Sequence, residues 1–135
     1  MSKIRVLVAD DHEQMLLHVC ELLSAHSCEV VAAVSDGQAA VDAAARQLPD
    51  VVVLDVSMPI LNGLEAARQI LAANPSAKIV FLTVDRDPDT RRAALETGAA
   101  GYVLKPRLAA DLIPAIQRAL DGRRFASPAV DISPD

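Results

Sequence analysis

The sequence predicts a doubly wound parallel α/β fold. Three observations carry that expectation: short β-rich runs, helical stretches between them, and turn residues at the junctions. The run Ile4–Ala9 is β-rich and ends abruptly in Asp10-Asp11. Met15, Leu16, Val19, Leu22 and Leu23 then recur at three- and four-residue steps, as the buried stripe of an amphipathic helix does. Residues 29–33 read as a second strand, Asp36-Gly37 punctuates it, and the Ala-rich stretch 38–47 reads as a helix. Val51–Leu54 is apolar without interruption, which suits a strand buried on both faces of a parallel sheet. Pro59 and Asn62-Gly63 make a loop before a helix over 64–73, and Asn74-Pro75 stops it. Residues 78–82 form the fourth strand. Asp87-Pro88 reads as an N-cap followed by proline in the first turn, opening a helix to about residue 97 that Gly98 ends. Residues 102–104 form the fifth strand, and a last helix over 108–120 closes at Gly122. Pro114 falls inside that helix and predicts a kink, although Leu112, Ile113, Ile116 and Leu120 still share a face. The connections are short enough for right-handed crossovers, with helices on both faces of a five-stranded sheet. Residues 123–135 carry two prolines, mixed polarity and no periodicity, and read as a tail or the start of a linker after a domain over 1–122.

Composition narrows the function. The 135 residues suffice for one domain with a proper core. Aromatic residues are scarce, Phe81, Tyr102 and Phe125, which argues against recognising nucleic acid by base stacking. The net charge of −5 disfavours a polyanion-binding surface, and the pairs Arg91-Arg92 and Arg123-Arg124 read as solvated helix faces or ends. Cys20 and Cys28 lack the spacing of a CxxC motif and read as free thiols in a reducing compartment. His12, His18 and His26 are not spaced as a ligand set and read as surface or helix-end residues. The chain runs directly into a strand pattern, and no apolar run approaches the ~20 residues of a membrane span. A cytoplasmic protein without a membrane partner is expected.

In open α/β sheets the ligand crevice lies beyond the carboxyl ends of the strands. At those ends stand Asp10 and Asp11, then Asp55, Thr83 and Lys105. Three clustered carboxylates repel one another unless a cation sits among them. Oxygen ligands with room for water suit Mg²⁺, and neither Cys nor His stands ready for a softer metal. An anionic phosphoryl donor needs that metal, a fixed cation and a hydroxyl, the chemistry Lys105 and Thr83 offer. One carboxylate then serves as the nucleophile. Each residue alone has a plainer reading, as a cap, a turn residue or a solvated loop charge. Their joint placement on one rim favours a site.

The ordered set Val-Ala-Asp10-Asp11, Leu-Asp55-Val-Ser-Met-Pro59-Ile-Leu-Asn-Gly63, Phe-Leu-Thr83 and Gly-Tyr102-Val-Leu-Lys105-Pro106 resembles a response-regulator receiver domain of two-component systems, over about residues 3–122. The resemblance implies a flavodoxin-like sheet of strand order 2-1-3-4-5. It implies Asp55 as phosphoacceptor from a sensor histidine kinase, and Mg²⁺ held by Asp10, Asp11, Asp55 and the Ser57 backbone carbonyl. Thr83 and Lys105 would bind the phosphoryl oxygens, Thr83 and Tyr102 would form the switch, and the Lys105–Pro106 bond would be cis. Output would be a changed binding face, with a homodimer on phosphorylation among its forms. Gly-Ala-Ala-Gly-Tyr-Val-Leu-Lys and the Asp-Gly-Arg-Arg-Phe-Ala-Ser-Pro stretch are similar to the NarL/FixJ-type subgroup. Members of that subgroup usually control transcription through a C-terminal helix-turn-helix domain, so DNA is expected only indirectly. The chain stops at Asp135 without such a domain, and its tail favours a receiver from a longer regulator over a single-domain one.

Val84 departs from the family pattern, which places a small residue after the Thr, and is expected to narrow access to Asp55. Two other classes fit the residues less well. A Mg²⁺-dependent phosphate-ester hydrolase would carry a second Asp two residues after Asp55, where Ser57 stands. A phosphorylation-independent scaffold would not need the complete acidic set.

Overall fold

The structure is a computed structural model in which residues 3–128 are described. The chain runs β1 (Ile4–Ala9), α1 (Glu13–Ser24), β2 (Cys28–Val34), α2 (Gly37–Gln47), β3 (Val51–Leu54) and α3 (Gly63–Ala73). It continues with β4 (Lys78–Thr83), α4 (Pro88–Glu96), β5 (Gly101–Leu104), a 3-10 turn (Lys105–Arg107), α5 (Leu108–Leu120) and β6 (Phe125–Ala126). The sheet is parallel throughout, in the order β2-β1-β3-β4-β5-β6. The expected five strands stand in the expected order, and β6 adds a sixth beside β5. Part of the stretch read as a tail is therefore built into the sheet, while residues 129–135 lie outside the described residues.

Strand alternation sorts the core into two layers, because successive side chains point to opposite faces. Leu7, Val52, Leu54, Ile79, Phe81, Tyr102 and Leu104 pack with α2, α3 and α4. Val6, Val8, Val51, Val53, Val80, Leu82 and Val103 pack with α1 and α5. Both faces are covered, so charged residues within the central strands are confined to their amino-terminal ends, Arg5 in β1 and Lys78 in β4. The contact faces of α2 and α3 are alanines (Ala40, Ala43, Ala66, Ala67), a consequence of filling the core with few aromatic residues.

Caps follow the sequence. Asp36 accepts the Ala39 amide at 2.7 Å, Asn62 the Glu65 amide at 2.9 Å and Asp87 the Asp89 amide at 2.9 Å. Gly63 is required by close approach: a Cβ there would lie 1.9 Å from the Asp55 carbonyl oxygen. Its amide donates to the Val56 carbonyl at 2.7 Å, so the α3 start is seated against the chain beside Asp55.

Pro114 sits within α5, and the helix runs from Leu108 to Leu120 around it. One expectation about its face needs correction. Its buried face is Leu108, Asp111, Leu112, Ala115, Ile116 and Ala119, whereas Leu120 is exposed. Ala119, one position earlier, takes the inward direction expected of Leu120.

Candidate functional site

The register of the central strands assembles the acidic cluster. Ala9 pairs with Leu54, so the residues that follow, Asp10 and Asp55, emerge side by side, and the Asp55 amide donates to the Ala9 carbonyl at 3.0 Å. Both side chains are buried, at 2% and 3% residue exposure, while Asp11 stands more open at the rim. One ligand atom each from Asp10, Asp11, His12 and Asp55 lies within 4.8 Å of the others.

Lys105 follows β5 and reaches into this cluster. Its Nζ lies 2.9 Å from Asp55 Oδ2 and 2.8 Å from Asp10 Oδ2. Both contacts are buried ion pairs at hydrogen-bonding distance, so one ammonium bridges the two carboxylates. Asp55 Oδ1 accepts only a long bond, 3.4 Å, from the Ser57 amide. Burial pushes the Asp55 pKa up; Lys105 counters it, but the net shift stays upward. For Lys105, burial favours the neutral amine, and pairing with Asp10 and Asp55 outweighs it, holding the ammonium charged. A cluster of carboxylate oxygens carrying more negative charge than the one ammonium offsets suits a hard divalent cation.

The expected partners are placed unequally. Thr83 ends β4 and is buried, but its Oγ1 accepts the Asp85 amide at 3.1 Å and makes no hydrogen bond to the carboxylates. Tyr102 is fully buried and donates through its hydroxyl to the Asp85 carbonyl at 2.7 Å. Burial first, then the Asp85 charge, hold its phenol protonated. Asp85 therefore joins the two expected switch residues through its backbone, a role with no side-chain signature to read. Arg91 stacks over the Tyr102 ring, 5.6 Å from its centroid, and is half-buried rather than solvated. Val84, by contrast, is 66% exposed.

His12, read from the sequence as a surface or helix-end residue, is that and also faces the acidic pair. Its Nδ1 lies 3.2 Å from Asp10 Oδ1 and 3.3 Å from Asp11 Oδ1, and its amide donates to Asp10 Oδ1 at 2.8 Å. It is the exposed N-cap residue of α1, and its adjacency to Asp10-Asp11 was the available signal. The Lys105–Pro106 bond is trans, not cis. Pro106 lies in the first turn of the 3-10 segment that leads into α5, where its missing amide forfeits no bond and the ordinary trans peptide serves.

Residues 6–117 match the family model described as the response regulator receiver domain. The chain belongs to the response-regulator receiver family. It is 38% identical over 129 residues to Response regulator GacA of Pseudomonas viridiflava, covering 94% of this chain and 60% of that protein. The chain thus spans well under two thirds of that relative's length. A two-component response regulator of the LuxR family from Aurantimonas sp. SI85-9A1 superposes with a TM-score of 0.90 at 33% identity, covering 96% of this chain and 93% of that one. The signal receiver domain of NarL from Mycobacterium tuberculosis superposes with a TM-score of 0.86 at 31% identity, covering 91% of this chain and all of that one. This receiver is thus a two-component signalling domain of the NarL/FixJ type. Among its described residues no helix is long and apolar enough to cross a membrane.

Proposed function

We propose that this receiver accepts a phosphoryl group on Asp55 from a sensor histidine kinase and switches a protein-interaction surface in response. The observation that carries the reading is the pairing of one buried ammonium, Lys105, with two buried carboxylates, Asp10 and Asp55, beside a third at Asp11. Asp55 Oδ2 is engaged by Lys105, which leaves Oδ1 as the nucleophile. Oδ1 attacks the phosphorus, the P–N bond to the kinase histidine breaks, and the released imidazole takes a proton from solvent. Lys105 and the Thr83 hydroxyl receive the phosphoryl oxygens.

Asp10, Asp11, Asp55 and the Ser57 backbone carbonyl are the residues assigned to hold Mg²⁺, which would neutralise charge on the transferring group. Thr83 leaves Asp85 to reach the phosphoryl group, and Tyr102, tied to the same Asp85, follows. That motion changes the surface of α4, β5 and α5, to which a second copy of the chain or an attached domain responds. We take the receiver body to extend past residue 122 to include β6 and Ser127, and the stretch after it to lead toward a DNA-binding output domain, with the protein acting in the cytoplasm and on DNA only through that domain.

Intact-mass measurement after incubation with acetyl phosphate and Mg²⁺ tests the core of this reading. One phosphoryl group is expected on the parent chain and none on Asp55→Asn. No gain from acetyl phosphate or a phosphorylated kinase, with the protein folded and Mg²⁺ present, would overturn it.

A further inference from the structure

Beyond α5 the chain turns back along β5, and Ser127 is the residue that fastens it there. Ser127 is fully buried, and each of its polar groups is used. Its amide donates to the Tyr102 carbonyl at 2.8 Å, and its Oγ accepts the Leu104 amide at 3.2 Å. The hydroxyl donates to Asp111 Oδ2 at 2.6 Å. Arg107 holds the same Asp111 by two bonds, at 2.7 and 3.2 Å. The Ser127 carbonyl accepts from Arg91 of α4, the same side chain that stacks on the Tyr102 ring. Phe125 adds its amide bond to the Ala100 carbonyl at 3.0 Å and lies under the Arg118 guanidinium, 5.4 Å from the ring centroid.

A continuous set of contacts therefore runs from Thr83, at the end of the strand next to the one that carries Asp55, to the outgoing chain. Thr83 Oγ1 holds the Asp85 amide, Asp85 holds the Tyr102 hydroxyl, Tyr102 seats Arg91, and Arg91 holds Ser127. We infer that β6 is a latch, docked in the resting receiver and loosened when Asp55 is phosphorylated. The inference rests on the phosphoacceptor reading of Asp55 and adds the element through which the chain after α5 senses it. When Thr83 turns to the phosphoryl group, Asp85 and Tyr102 lose their present anchor, and Arg91 loses the ring that positions it. Ser127 then keeps its bonds to β5 and Asp111 but gives up the one from α4. The Arg91 bond is the charge-assisted one that ties this segment to α4, so losing it shifts the docking equilibrium appreciably. The device works on the two-state principle: the switch biases an element that is already held by a small number of contacts.

Amide hydrogen exchange over residues 123–128 of the full chain, read with intact mass on the same samples, tests this. Exchange is expected to quicken about tenfold on phosphorylation of the parent chain, and about as much in unphosphorylated Arg91→Ala. A confirmed phosphoryl gain with unchanged exchange over 123–128 would overturn the latch alone. Unchanged exchange in Arg91→Ala would overturn it without any phosphorylation being needed. Failure to gain a phosphoryl group would appear in the mass rather than the exchange, and would overturn the phosphoacceptor reading and the release that rests on it.

Discussion

Lys105 Nζ stands 2.9 Å from Asp55 Oδ2, so the carboxylate assigned the chemistry is held by a fixed cation from the neighbouring strand end but one. One ammonium cannot fully compensate Asp10 and Asp55 together with the nearby Asp11, and burial raises the Asp55 pKa despite Lys105. A folded-state pKa above the unfolded value means stability present below the unfolded pKa and lost as pH rises through the folded one. At neutral pH that stability is absent, and Asp55→Asn recovers it by removing the costly charge. Urea denaturation at pH 7 in EDTA should show the variant with the higher midpoint. The gain should shrink as the pH is lowered and Asp55 of the parent takes up its proton.

Val84 follows Thr83, the last residue of β4, and is 66% exposed. We propose that a side chain of that size next to Thr83 narrows access to Asp55 for both small phosphoryl donors and water. Val84→Ala is expected to quicken acetyl-phosphate labelling and dephosphorylation alike, by a few-fold each. Rates followed by intact mass check it, and equal rates in both proteins would discard a gating role for Val84.

The regular part of the fold was legible because its signals are local. Apolar runs such as Val51–Leu54 and caps such as Asp87-Pro88 act within a few residues of themselves. Asp10, Asp55 and Lys105 were legible for a related reason: a parallel sheet gathers whatever follows its strands onto one rim. β6 was not, because two residues carry no periodicity and its place is set by Ser127 bonding to Tyr102, Leu104 and Asp111. Asp85 was hidden because it works through its amide and carbonyl, which every residue possesses. Arg91 read as half of a solvated basic pair, since nothing local announces a ring and a carbonyl brought to it by other strands.

Gly63 marks a place where the site and the fold share one constraint. A methyl group there would meet the Asp55 carbonyl oxygen at 1.9 Å and the Val56 Cα at 2.9 Å, both backbone atoms that cannot swing aside. Gly63→Ala must therefore push α3 away from the chain that carries Asp55. A stability loss of about 1–3 kcal/mol, as for overpacking, is expected from urea denaturation. Phosphoryl labelling should fall as well, because Asp55 shifts relative to Lys105.

Ile60 holds a φ of 71° in the loop after Asp55 and is 79% exposed. A β-branched side chain in the left-handed region is strained, and here its exposure means that little packing offsets the strain. Ile60→Gly should raise stability by about 1 kcal/mol, measured as a higher urea midpoint with an unchanged slope. An unchanged or lower midpoint would show that the loop draws support from Ile60 that outweighs its backbone strain.

Asp111 supplies the pH dependence of opposite sign. Burial alone would raise its pKa, but the Arg107 guanidinium and the Ser127 hydroxyl outweigh that and hold it below the usual carboxylate value. A depressed pKa contributes stability that is present above the unfolded value of about 3.9 and lost as pH falls through the folded one. Asp111→Asn should therefore cost about 1.5–3 kcal/mol at pH 7, the range for hydrogen bonds to a charged group. The gap between variant and parent should narrow below about pH 4, where the parent's own Asp111 begins to take up a proton. Because Ser127 is tied to the same carboxylate, the variant should also lose exchange protection over 123–128 at neutral pH, while Asp55→Asn should not.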